Sequence, residues 1–219
     1  MPPKSQMIDR REGSVRKLID EMFDMVEQAV ENALVCVASI DSGLAQQIID
    51  GDAAINALYH NVEDECVTLI ARMQPMARDL RELVSDMQIA AELERIADYA
   101  SAMAGTVQQM QMSPAAEIQQ AIVELGEQCR AMLAKIRKAY DSHDSELART
   151  TAALDDEVDS REQQIIRQVF AWQGKHPDDF ISSTHALWIA HSMERIGDRV
   201  TNIAERVVYI ATSRTEALN

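Results

Sequence analysis

Two five-residue strings concentrate the groups that could do chemistry: Glu94-Arg95-Ile96-Ala97-Asp98 and, 100 residues later, Glu194-Arg195-Ile196-Gly197-Asp198. A Glu and an Asp four residues apart lie about one helical turn apart, where they can grip one hard cation or share two neighbouring ones. The intervening Arg95 and Arg195 offer a competing arrangement, a solvated salt-bridge face without any ion. Further acids precede each copy: Asp52 and Asn56 before the first, and Asp155, Asp156, Glu157, Asp159 and Glu162 before the second. If the helices carrying them pack side by side, Asp52 and Asn56 meet Glu94 and Asp98. Likewise Asp155, Asp159 and Glu162 meet Glu194, Asp198, Asn202 and His191. Carboxylates crowded in this way repel one another, which favours a bound cation or a basic partner, and the second set is richer in ligand types.

The elements that must position these groups are helices. Around the first string Ile89, Leu93, Ile96, Ala100, Met103, Val107 and Met110 step by four and three; Ile189, Met193, Ile196, Val200, Ile203, Val207 and Ile210 repeat the register. Helix phase is therefore repeated along with the motif, the mark of one unit written twice. At about 100° per residue, Glu194, Asp198, Asn202 and Glu205 are expected on the side opposite the stripe.

Only 7 Gly and 5 Pro and an aromatic content of 4% leave little for turns or sheets, so the expected class is all-α. Pro75, Pro114 and Pro177 each stand where a new periodic segment begins, and Ser113 reads as a cap with Glu117 in the first turn behind it. The pattern predicts six helices in two tandem three-helix bundles, residues 10–112 and 113–213, joined by a short Gln111-Met112-Ser113 link. Helix one carries Val15, Leu18, Met22, Val26, Ala29 and Ala33, and helix two Ile48, Ile55, Leu58, Val62, Cys66 and Leu69. Helix four carries Ile118, Ile122, Leu125, Cys129 and Met132, and helix five Leu147, Leu154, Val158, Ile165 and Val169.

A formal net charge of −15 opposes a general role in binding nucleic acid and favours cations or basic protein patches. No apolar run reaches the roughly 18 residues of a membrane span, and the first eleven residues lack the apolar core of a signal peptide, so a cytoplasmic protein without membrane insertion is expected. Cys36, Cys66 and Cys129 are far apart and read as core thiols; Met87, Met103, Met110, Met132 and Met193 fall at helical spacing as core filler.

The string Glu194-Arg-Ile-Gly-Asp198-Arg-Val-Thr-Asn202-Ile-Ala-Glu205 resembles the signature of the PhoU family of phosphate-signalling regulators, and Glu94-Arg-Ile-Ala-Asp98 its earlier copy. Pro75-Met-Ala-Arg-Asp79-Leu80-Arg81 is similar to the segment that opens the family's third helix, and the likeness runs from about Arg11 to Thr212. The resemblance implies paired three-helix bundles, often dimeric, whose acidic motifs hold iron, zinc, manganese, magnesium or another divalent ion and no organic cofactor. It implies an adaptor, without catalysis, linking the ATPase subunit of a phosphate-importing ABC transporter to a sensor histidine kinase at the inner membrane and repressing phosphate-starvation genes when phosphate is plentiful. Carried over by position, Glu94, Asp98, Glu194 and Asp198 are motif carboxylates with Asp52, Asp155 and Asp159 as neighbours and Asn202 alongside. The first copy departs from the pattern at Ala97 and Ala102, where the second has Gly197 and Asn202, and Phe180-Ile-Ser-Ser-Thr replaces the Asp-Leu-Arg segment in the second half. His185 and Trp188 read as packing groups.

The rival class is a metal-dependent enzyme, since carboxylate clusters in helical bundles also support dimetal chemistry. None of the five histidines completes a Glu-x-x-His motif, and phosphate-loop, nucleophile-elbow and His-Glu-x-x-His patterns are absent from the sequence. A sensor or relay is the expected function.

Overall fold

The computed structural model describes residues 4–110 and 113–218, with side chains from residue 13 onward. Met1 to Pro3 and the Gln111-Met112 part of the expected link lie outside the described residues. The chain is all helical: α1 (Lys4–Ser39), α2 (Ser42–Met73), α3 (Arg78–Gln109), α4 (Ala116–Ser142), α5 (Ser145–Ala152), α6 (Asp155–Gln173), a 3-10 turn (Pro177–Asp179) and α7 (Phe180–Thr212). Among the described residues there is no strand, and no helix is long and apolar enough to cross a membrane.

Helices α1, α2 and α3 pack together as one bundle, and α4, α5, α6 and α7 as the other. The bundles meet mainly where α3 lies on α7, with α1 against α4 beside them, so the two motif helices form the centre of the molecule. Both seven-residue stripes are buried along their whole length. That burial is the main reason these segments stay helical, because packing of an apolar face outweighs intrinsic propensity. On helices one to six, Leu18, Ala29, Leu58, Leu147 and Leu154 are only half-buried, at the rim of this core. Cys36, Cys66 and Cys129 are free buried thiols, and Cys129 donates to the Met193 carbonyl at 3.1 Å across the α4–α7 contact.

The repeat extends to the caps. Asp41 accepts from the backbone N–H of Gly43 and Leu44 at 2.8 and 3.0 Å to start α2. Asp144 accepts from Glu146 and Leu147, both at 3.0 Å, to start α5. Each cap satisfies donors that no helical carbonyl can reach.

Three expectations change. The fifth helical span is broken: α5 stops at Ala152 and α6 restarts at Asp155, with the N–H of Leu154 bonded to the Thr151 carbonyl at 3.1 Å in a tightened turn. Ser113 is not a cap, because α4 begins only at Ala116 behind Ala115, which has no capping side chain; Glu117 does occupy the first turn. Glu194, Asp198, Asn202 and Glu205 do not face away from the stripe. Helix α7 is enclosed by α3, α4, α5 and α6, so its buried arc is wider than one stripe and these groups lie at its edges between neighbouring helices.

Candidate functional site: two acidic faces

The face between α6 and α7 is built around one missing methyl group. A Cβ on Gly197 would lie 2.6 Å from Asp155 Oδ1 and 3.2 Å from Val158 Cγ1, so only glycine lets the Asp155 carboxyl sink against α7. Asp155 is 7% exposed, and its Oδ1 accepts no hydrogen bond. Burial, followed by the charges of Asp198, Asp159 and Glu194, pushes its pKa up to about 7. Asp159, one turn further along α6, is raised by burial and by Glu194 and Asp198. The expected meeting of Asp155 and Asp159 with Glu194 and Asp198 therefore occurs.

Arg195 supplies the compensating charge. Its guanidinium forks onto both carboxylate oxygens of Glu194 and reaches Asp198 Oδ2 at 2.7 Å; its bonds to Glu194 and the nearby acidic charges raise its pKa further. At the outer edge, His191 Nδ1 lies 3.3 Å from Glu162 Oε1 and 3.6 Å from Glu194 Oε2. Asn202 is not part of this group: its amide donates to Glu92 Oε2 of α3 at 3.2 Å, beside Arg199, on the seam between the bundles. Glu205 is also committed, accepting from the Leu218 N–H at 3.1 Å.

The face between α2 and α3 gathers the expected residues in a shallower form. Asn56 donates to Asp52 Oδ2 at 3.0 Å. Burial and the charge of Asp98 raise the Asp52 pKa. Glu94 is raised by burial, then by Asp98 and Asp52, against the opposing charges of Arg95 and His60. Here Ala97 fills the position of Gly197, and Asp52 stays half-buried. His185, which is buried, and Trp188, which is exposed, form a tilted ring pair with centroids 5.6 Å apart.

Both faces concentrate carboxylate oxygens, but among the described residues the three potential ligands whose donor atoms come within 4.8 Å of one another are Glu162, His191 and Glu194, not the motif acids of either face taken together. What sequence reasoning missed is depth. Gly197 was visible in the string, but the carboxylate that needs its open space lies on another helix.

The fold and its acidic faces define a class of duplicated all-α protein, two helical bundles that meet along their motif helices. The PhoU domain pattern matches this chain twice, at residues 19–107 and 122–207. Among curated proteins, the chain is 32% identical to a phosphate-specific transport system accessory protein PhoU homolog of Pseudomonas putida, over 94% of this chain and 81% of that one. It is 32% identical to the phosphate-specific transport system accessory protein PhoU of Escherichia coli, over 90% and 81% respectively. The crystal structure of PhoU from Pseudomonas aeruginosa superposes with a TM-score of 0.90 at 32% identity, covering 94% of this chain and 99% of that chain. A regulatory PhoU structure from Streptococcus pneumoniae gives 0.89 at 27% identity, covering 95% and 99%. The chain belongs to the PhoU family, whose members are regulatory accessory proteins and not enzymes.

Proposed function

We propose that this protein is a negative regulator of phosphate-starvation signalling and phosphate uptake. It acts as an adaptor between the ATPase subunit of a phosphate ABC transporter and a sensor histidine kinase, as a homodimer in the cytoplasm at the inner membrane. The repeats at 10–112 and 113–213 serve as its two units. The observation that carries this reading is the duplication of the acidic face, on α3 with α2 and on α7 with α6, in a chain whose relatives are named as accessory proteins of phosphate-specific transport.

Asp52, Glu94 and Asp98 on one face, and Asp155, Asp159, Glu194 and Asp198 on the other, are the residues that would hold a divalent ion. Such an ion supplies charge compensation between the two helices of each face. Whether bare or loaded, both faces attract basic surfaces of partner proteins, and this complementarity governs encounter and selectivity. The test is deletion of the gene with a phosphate-starvation reporter read in high phosphate. Derepression, reversed by the wild-type copy, is the expected result; unchanged expression refutes the regulator. Binding to the ATPase subunit should weaken with salt and in a Glu194→Gln/Asp198→Asn variant.

A further inference from the structure

We propose that the seam between α6 and α7 is a docking strip for a basic amphipathic helix of a partner protein, with Phe170, Phe180, Ile181 and Trp188 as its apolar anchors. The inference deepens the docking reading given to the second acidic face and rests on it.

Among the described residues nine large hydrophobic side chains are exposed, and eight of them lie at the ends of the α2–α3 and α6–α7 hairpins. Single residues of this kind scattered over a surface need no explanation, whereas a contiguous group marks an interaction site. On the second hairpin Phe170, Phe180, Ile181 and Trp188 are each between 54% and 62% exposed. Their register continues the acidic face. Phe170 lies eleven residues, about three turns, beyond Asp159 on α6. Trp188 lies seven residues, about two turns, before Arg195 on α7. Asp155 lies against Gly197 and Glu162 against His191, so the two helices run antiparallel and Phe170 arrives beside the start of α7. The strip is apolar at the turn and acidic beyond His191. From Ile181 to Asp198 it is about 25 Å long, enough to seat a helix of about five turns.

Charge selects the occupant. At the acidic end Asp159, Glu162, Glu194 and Asp198 outnumber Arg195, whose guanidinium pairs with Glu194 and Asp198. The turn at the other end adds Asp178 and Asp179 against Lys175. A helix that brings lysine or arginine over the acids and apolar side chains between Phe170 and Trp188 satisfies both ends. A second copy does not, because a two-fold contact centred on the strip lays each apolar end on the other copy's acids. Nor does an anionic bilayer, which repels these carboxylates and a chain of net charge −15.

The first repeat keeps the exposed positions without this pairing. Val67 and Leu80 stand where the second repeat has Phe170 and Phe180, 103 and 100 residues later, and Met76 and Val84 are exposed as well. Arg81 replaces Ile181, in a segment that also carries Arg72 and Arg78, so the apolar end of that strip repels a basic helix. Aromatic anchors next to acids belong to one repeat only.

The experiment is fluorescence anisotropy of the full chain with a labelled helical peptide of about five turns, leucine on one face and lysine on the other. A scrambled peptide of the same composition and a leucine–glutamate counterpart are the controls, and all variants are of verified helicity. The wild type should bind the leucine–lysine helix at least about tenfold more tightly than either control. Phe170→Ser/Trp188→Ser should weaken that binding by at least about tenfold, and Val67→Ser/Val84→Ser should leave it within about twofold. Asp159→Asn/Glu162→Gln should weaken it at low salt and flatten its salt dependence. Binding unaltered in Phe170→Ser/Trp188→Ser, or equal for the helix and its controls, overturns the strip. So does a sedimentation shift from dimer to monomer in that variant, which assigns the apolar residues to a second copy. Retention on phosphatidylcholine–phosphatidylglycerol vesicles that the variant loses assigns them to lipid and overturns it too. If deletion of the gene still derepresses the phosphate-starvation reporter in any of these cases, the regulator stands and this inference alone falls.

Discussion

The two acidic faces share a register and differ in depth, and a single methyl group accounts for much of the difference. On the second face Gly197 admits Asp155 to a buried position beside three other carboxylates. On the first, Ala97 fills that space and Asp52 remains half-buried with Asn56 as its donor. A duplicated scaffold can therefore keep the register of its core while one small residue decides whether its acids form a solvated face or a desolvated cluster.

The largest effects should fall on what the halves share. Ile96 and Ile196 are both fully buried at equivalent stripe positions, so Ile96→Ala and Ile196→Ala should each cost about 2–5 kcal/mol in urea unfolding. Costs that differ by more than the width of that range would break the equivalence of the two cores.

A smaller effect separates the faces. Asp155 has a folded pKa of about 7, above the unfolded value of about 3.9. The folded state therefore binds more protons between these two values, and stability falls as pH rises through that window. Asp155→Asn should match the wild type near pH 4 and be the more stable protein at pH 8, by about 1–2 kcal/mol after allowance for solvent screening. Asp52→Asn should show less of this dependence. A wild type and an Asp155→Asn variant with parallel pH profiles would contradict the desolvated cluster.

The caps come next. Asp41→Ala and Asp144→Ala should each lose about 1 kcal/mol, because each removes a carboxylate bonded to two helix N–H groups. A matching loss at both sites sharpens the view that the repeats share their boundaries and differ at their faces. The smallest change in stability belongs to Gly197→Ala, where alanine's helix preference, worth about 1 kcal/mol, offsets displacement of Asp155. Its signature is electrostatic: the Asp155 titration followed by carboxyl NMR should move down toward the ordinary range.

The apolar stripes were legible in the sequence because a 3.6-residue period survives any packing of neighbours, and every one of the fourteen stripe residues is buried. The convergence of Asp155 and Asp159 with Glu194 and Asp198 was legible too, since the repeat paired the same helices twice. The break between α5 and α6 was not: Ala152-Ala153-Leu154 contains no glycine or proline to mark it. Nor was the fate of Asn202, whose sequence neighbours suggest a ligand but whose amide bonds to Glu92 on the other bundle. Local spacing assigns a residue to an edge of a helix, and only the arrangement of the other helices determines what it meets there.

The most direct measurement is a phosphate-starvation reporter, read in high phosphate, in cells whose sole copy of this protein carries Glu194→Gln/Asp198→Asn, beside cells carrying Glu94→Gln/Asp98→Asn. Derepression at comparable protein levels, stronger for the second-face variant, is the expected result. Full repression by both variants would contradict the assignment of regulation to these carboxylates.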